Sequence, residues 1–203
     1  MAQRIGLYFG SFNPVHHGHL ILATFILQHA PLDQLWFIVS PQNPLKPSVG
    51  LLNEYQRLHL VRLAIEDVPG LKVSDIEFKL PRPSYTIDTL TYLQEKYPDH
   101  RFSVIMGSDS YRNIAKWKNY ARLLEHYPLY VYLRPGHPVE PLSGFPEPLV
   151  LKAPLLEISA TLIRENIRKG HSIKFLVPDI VAEEIERNGY YRNTDKPQKP
   201  ENA

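Results

Sequence analysis

Five short apolar runs recur along the chain, and segments of helical spacing separate or follow them. The runs are Ile5 to Phe9, Leu35 to Val39, Leu71 to Ser74, Phe102 to Met106 and Leu129 to Leu133. Apolar runs of this length, bounded by Gly, Pro or Ser, suit buried strands. Between them, Leu20 to Leu27 is long enough for a helix and is closed by His29 and Pro31. Further helical patterns start at Asn53, run from Thr86 to Tyr97, and return after Asp109 to about His126. Ser159 and Pro178 open the last two, which stop at Lys169-Gly170 and Asn188-Gly189. Such alternation predicts an α/β fold, a doubly wound parallel sheet with flanking helices on both faces. Ligands in sheets of this kind sit beyond the carboxyl ends of the strands, where strand order reverses.

With 203 residues, 43% hydrophobic and 22% charged, the chain reads as one domain over residues 1–192. The polar stretch 193–203 reads as a disordered tail, and Pro135 to Pro148 as an irregular excursion. A formal charge of +2 with no run of like charges argues against a nucleic-acid binder. There is no cysteine, which excludes a disulfide framework, a thiolate nucleophile and a thiolate metal site. Neither a basic leader with an apolar core nor an apolar run of spanning length is present. No membrane partner is therefore expected, and a soluble protein of the cytoplasm is the default; the sequence leaves a homo-oligomer open.

The polar clusters fall at strand exits: Gly10 onward, Pro41 to Lys46, Gly107 to Asp109, and Arg134. In the first, Gly10-Ser11-Phe12-Asn13-Pro14-Val15-His16-His17-Gly18-His19 leads from a strand into a helix whose opening turn carries His19. Unpaired N–H groups and the positive end of the peptide dipoles make such a helix start an anion site. Gly10 and Gly18 lack a Cβ, which would let a bulky ligand approach the main chain. His16 and His19, three residues apart, can share a face and form a donor pair suited to phosphate. No G-x-G-x-x-G follows the first strand and no G-x-x-x-x-G-K-[ST] occurs, which argues against a nicotinamide dehydrogenase or a P-loop kinase. A zinc site on His16, His17 and His19 would lack a carboxylate or further ligand nearby in sequence.

Ser159 and Thr161 stand at a helix start, where their ordinary role is capping. Arg164, five residues beyond Ser159, could reach the same anion bidentately and turns this into a second phosphate-binding helix start. Lys46 could meet a phosphate or be a solvated lysine. Asp109 could hold ribose hydroxyls, orient Mg²⁺ through water, or cap the helix after Gly107.

Read together, these residues resemble a known family. Gly10 to Pro14 with His16-x-Gly18-His19 is similar to the first signature of the nucleotidyltransferases with an H-x-G-H motif, and Ile158-Ser159-Ala160-Thr161-Leu162-Ile163-Arg164 to their second. Pro83-Ser84-Tyr85-Thr86-Ile87-Asp88-Thr89-Leu90, and Gly107-Ser108-Asp109 followed by Trp117, narrow the resemblance to the bacterial nicotinate mononucleotide adenylyltransferases, over most of residues 4 to 192. The family's frequent Asp in the first motif is Asn13 here.

The resemblance implies a Rossmann-like fold of nucleotidyltransferase type. It implies transfer of AMP from ATP to nicotinate mononucleotide, giving nicotinate adenine dinucleotide and pyrophosphate in NAD biosynthesis. Mg²⁺ would be held mainly by the ATP phosphates rather than by a protein cage. His16, His19 and Arg164 would be catalytic. Gly10, Ser11, Phe12, Gly18, Lys46, Gly107, Asp109, Ile158, Ser159 and Thr161 would bind the ATP side. Ser84, Tyr85 and Thr86 would hold the pyridine carboxylate, Trp117 would stack on the ring, and Arg134 would meet the mononucleotide phosphate. Another adenylyltransferase of the same fold, such as the phosphopantetheine enzyme, and a non-catalytic nucleotide sensor are the competing readings.

Overall fold

A computed structural model describes residues 2–42 and 50–192. Six strands form one parallel sheet in the order β3-β2-β1-β4-β5-β6. They are β1 (Arg4–Gly10), β2 (Gln34–Val39), β3 (Leu71–Ser74), β4 (Arg101–Gly107), β5 (Leu129–Tyr132) and β6 (Leu149–Leu151). The helices are α1 (His17–His29), α2 (Glu54–Ile65), α3 (Thr86–Lys96), α4 (Ser108–Tyr111), α5 (Tyr120–His126), α6 (Ala160–Arg168) and α7 (Asp179–Arg187).

Side chains alternate across the strands, so each face of the sheet has its own core. Leu35, Phe37 and Val39 of β2 pack with Leu22 and Ile26 of α1, Val61 of α2, Ile163 of α6 and Val181 of α7. On the other face Ile5, Leu7, Trp36, Val104 and Met106 pack with Leu90 and Leu93 of α3 and Leu123 of α5. Strands buried on both faces account for the unbroken apolar runs. Strand order reverses between β1 and β4, which pair from Arg4↔Arg101 to Tyr8↔Ile105. The loops after these two neighbours therefore open side by side above the sheet.

The structure departs from the sequence reading in two places. A sixth strand, β6, follows the proline-rich stretch, so β5 is not the last strand. The helical pattern after Gly107 is broken into α4, a 3-10 turn at Ile114–Lys116, and α5. Asn119, in the left-handed region at φ 51°, separates the last two. Within 135–148 no strand or helix forms, yet Val139, Leu142 and Phe145 pack against the second core. The tail 193–203 lies outside the described residues. Among the described residues no helix is long and apolar enough to cross a membrane.

Candidate active site

The first loop leaves β1 at Gly10 and turns sharply at Phe12, which sits in the left-handed region at φ 44°. That conformation costs a phenylalanine about 1–3 kcal/mol and is held by packing. The Phe12 ring is buried, edge-on to His19 at 5.1 Å and to Phe37 at 5.2 Å. Sequence reasoning left space over Gly10 for a ligand; Phe12 fills it, because a Cβ there would lie 2.7 Å from the ring. Gly18 is governed similarly: a Cβ would stand 3.1 Å from the His16 ring and 3.9 Å from the Ile158 carbonyl. Both glycines leave room for the chain's own side chains, Phe12 over Gly10 and His16 over Gly18.

His16 is the N-cap of α1 and His19 its third residue. The His19 N–H donates to the His16 carbonyl at 2.9 Å, and the His16 N–H donates to Nδ1 of His19 at 3.3 Å. The two rings stack with centroids 3.7 Å apart and planes at 28°. Burial, His17 and Arg134 lower the His16 pKa to about 4. Burial, His16 and Arg134 push His19 well below its usual value. Both imidazoles are thus neutral near pH 7. Because Nδ1 of His19 accepts, its proton resides on Nε2, a donor able to serve an anion. Stacked rings do not aim their nitrogens at a common point, which weighs against zinc between them.

Beside this loop stands the exit of β4. Asp109 faces Arg134, with Oδ1 3.2 Å from Nε. A Cβ on Gly107 would strike Asp109 and lie 2.9 Å from Nε of Arg134, so only glycine fits beneath the pair. The Ser108 hydroxyl receives the Arg134 N–H at 2.9 Å, and the Tyr132 hydroxyl receives Nη2 at 3.2 Å. Arg134 therefore sits near enough to the imidazoles to depress both, on the side of the first loop.

The start of α6 meets the same loop from above. Ser159 is its N-cap, and its Oγ accepts the Leu162 N–H at 3.1 Å. The capping role is real, yet the N–H groups of Ala160 and Thr161 donate to no described group. Arg164 donates Nη1 to the Asn13 carbonyl at 2.8 Å and Nη2 to the Thr161 hydroxyl at 3.2 Å. Its Nε has no partner among the described residues. Ile158 is half-buried against the first core. The Arg164–Asn13 bond thus brings the start of α6 against the loop that carries the imidazoles.

A second cluster lies where β3 exits. Ser84, Tyr85 and Thr86 form the approach to α3, with Tyr85 as N-cap and no side-chain cap bond. Ser84 is buried and donates to Glu77, so only its backbone is left for a ligand. Lys118 lies 4.9 Å from the centre of the Tyr85 ring and bonds Asp88 at 2.8 Å. These contacts bring the segment around Trp117 against the Ser84–Thr86 loop. Trp117 itself is half-buried on the second core. Lys46 lies outside the described residues.

Sequence reasoning missed two buried charges. Arg57 of α2 is fully buried and donates to four carbonyls: Leu52 at 2.8 Å, Ser11 at 2.6 Å, Ser40 at 2.8 Å and Pro41 at 3.1 Å. Its signal was position, three and four residues before Leu60 and Val61, hence on the apolar face. Glu77 lies in a 3-10 turn (Ile76–Lys79) and is equally hidden. Tyr191, after α7, is buried too, and its hydroxyl finds no partner among the described residues. Burial pushes the Tyr191 phenol well above its usual pKa, while Arg57 and Arg164 pull the other way.

Among the described residues no group of three His, Cys, Asp or Glu is arranged to hold a metal ion. Asp109, the carboxylate beside the first loop, already faces a guanidinium. Such a donor set fits an Mg²⁺ ion that arrives on a triphosphate, since that ion keeps its waters and needs few protein ligands.

Comparisons with known proteins agree with this geometry. A family model described as cytidylyltransferase-like matches residues 7–166. A curated protein of Flavobacterium psychrophilum, named probable nicotinate-nucleotide adenylyltransferase, is 48% identical over 94% of this chain and all of its own. A Flavobacterium johnsoniae protein of the same name is 49% identical over the same shares, and one from Bacteroides fragilis 42% identical over 90% of each chain. The structure of Plasmodium falciparum nicotinic acid mononucleotide adenylyltransferase complexed with NaAD superposes with a TM-score of 0.77, at 20% identity, over 93% of this chain and 97% of that one. The fold is therefore the Rossmann-like one of nucleotidyltransferases. With its first and last signature motifs joined by the Arg164–Asn13 bond and relatives this similar over nearly the whole chain, the protein belongs to the nicotinate-nucleotide adenylyltransferase family.

Proposed function

We propose that the crevice between the first loop and the start of α6 binds ATP, and that the Ser84–Thr86 loop with Trp117 binds nicotinate mononucleotide, in the cytoplasm. The mononucleotide phosphate attacks the α-phosphorus of ATP; the bond from the α-phosphorus to the bridging oxygen breaks, and pyrophosphate leaves with its electron pair. Nicotinate adenine dinucleotide remains. No protein nucleophile is needed, because the substrate supplies one. The protein's work is to hold two anions together and to stabilise the charge that develops.

His19 carries its proton on Nε2 and donates it as a hydrogen bond to the α-phosphoryl oxygens. His16 serves the adjoining phosphate and holds the His19 tautomer through its own N–H. Arg164 and the free N–H groups of Ala160 and Thr161 take the β- and γ-phosphates, with Ser159 fixing the helix start. Arg134 adds a positive charge where the two substrates' phosphates meet. Asp109 holds the ATP ribose or a water of the metal. When bound, Mg²⁺ neutralises charge on the triphosphate.

One observation supports this reading above the others: the bond from Arg164 to the Asn13 carbonyl, which brings the two signature motifs together. The test is pyrophosphate release from ATP with a panel of acceptors. Turnover with nicotinate mononucleotide well above that with the nicotinamide analogue or phosphopantetheine supports it. Equal turnover with phosphopantetheine, or none with any acceptor, refutes it.

A further inference from the structure

Glu77 is a carboxylate only 2% exposed, and among the described residues no Lys or Arg forms an ion pair with it. Its partners are hydroxyls. Ser84 donates to Oε2 at 2.9 Å and Thr89 donates to Oε1 at 2.8 Å. These residues flank Tyr85 and Thr86, one before the start of α3 and one in its first turn. Thr89 Oγ1 also approaches the Tyr85 carbonyl at 3.3 Å. Burial pushes the Glu77 pKa up, against hydrogen bonding from Ser40, Thr89 and Ser84.

A buried carboxylate without a cation is costly, and an apolar side chain would pack there more cheaply. Its return is rigidity, because hydrogen bonds to an ionised acceptor are shorter and stronger than neutral ones. Both arms end at the start of α3, where the N–H groups of Thr86 and Ile87 donate to no described group. Ser40 extends the connection, since its carbonyl also receives Arg57, which in turn holds the Ser11 carbonyl of the imidazole loop. The path runs from the start of α3 through Ser40, just after β2, and Arg57 to the loop at Ser11.

We infer that Glu77 is the positioning residue of the acceptor half-site: it clamps Ser84 and Thr89 so that the start of α3 presents its free N–H groups to the pyridine carboxylate at a fixed distance from the α-phosphate. This rests on the proposed function for the identity of the ligand. The clamp itself is a property of the folded chain.

The test uses Glu77→Gln, which keeps the shape and one acceptor but removes the charge. Two readouts are taken. Amide hydrogen exchange over 84–90 should speed up at least tenfold, while that over 16–23 stays unchanged. The KM for nicotinate mononucleotide should rise about tenfold or more, with the KM for ATP within twofold, because a loop displaced by about 1 Å spoils one half-site only. If that variant does not fold, Thr89→Val removes one arm and is read in the same way, with smaller changes. Unchanged exchange over 84–90, or an equal rise in both KM values, overturns the inference. Wild-type protein that makes no dinucleotide from nicotinate mononucleotide overturns the proposed function instead, and hydrogen exchange then decides the clamp alone.

Discussion

Arg164 and Asn13 stand 151 residues apart in sequence, and Nη1 of the one donates to the carbonyl of the other at 2.8 Å. That bond fastens the start of α6 to the loop before α1, and so joins the two motifs proposed to bind the triphosphate. Arg164→Ala should therefore loosen the triphosphate and the loop together. The expected result is a KM for ATP raised at least tenfold, with the KM for the mononucleotide less affected. Arg164→Lys should rescue little, because an ammonium cannot span Asn13, Thr161 and a phosphate as a planar fork does. Steady-state kinetics of the two variants check this, and wild-type values in either would remove Arg164 from the site.

His19 acts on a different quantity. A donor aimed at charge that appears only in the transition state lowers kcat when lost, while ground-state binding changes less. His19→Ala should cut kcat by about 10²–10³, the scale of one preorganised donor. His19→Gln can still donate and should retain more activity than alanine. Equal kcat in wild type and His19→Ala would refute the assigned role.

The imidazoles also set a pH dependence of stability. His16 ionises near 6.5 when unfolded but only near 4 in the fold. Between these values the unfolded chain binds more protons, so acid favours unfolding. The stabilisation is complete above about pH 6.5 and is lost as pH falls towards 4; that gap is worth on the order of 3 kcal/mol. His19, displaced in the same direction, adds to the slope. Urea midpoints of the ligand-free protein at pH 7.5, 6 and 4.5 should fall steeply. In a His16→Gln, His19→Gln double variant the fall should be shallower, and an equal fall in both would show that other groups govern it.

Some of this was legible in the sequence for physical reasons. Strands buried on both faces advertise themselves as apolar runs, which is why β1 to β5 and the loops at their exits could be placed. β6 could not, because three residues between proline-rich segments carry no period. The glycines were found, but not the packing that requires them. Their role depends on which side chain comes back over them, Phe12 over Gly10 and His16 over Gly18, and that is long-range geometry. Ser159 could be read as a cap, whereas its convergence with His19 needs the contact to Asn13. Glu77 was hidden because a glutamate in a short segment with Asp75 and Lys79 two residues to either side reads as surface.

The acceptor side gives a prediction of opposite selectivity to that for Arg164. Lys118 contacts both the Tyr85 ring and Asp88, which sets the Trp117 segment beside the Ser84–Thr86 loop. Trp117→Ala should weaken the pyridine mononucleotide and leave the KM for ATP within about twofold. Trp117→Phe, which keeps a stacking face, should recover much of the loss. Equal losses for both substrates would assign Trp117 to the core.

Arg57 tests whether the loop is held by the fold or by its ligand. A fully buried guanidinium should be expensive, and desolvation does lower its pKa to about 10. It is tolerated because four carbonyls, from Ser11, Ser40, Pro41 and Leu52, receive its N–H groups. Arg57→Met keeps much of the volume but strands those acceptors, each of which costs about 1–3 kcal/mol when buried without a donor. Water admitted to the gap would recover part of this, so the net loss should be about 3 kcal/mol or more. Urea unfolding gives that value directly. Saturating ATP should restore only part of it if Arg57 shapes the loop before ligand arrives. A full restoration would mean that the nucleotide, rather than α2, organises the turn at Ser11.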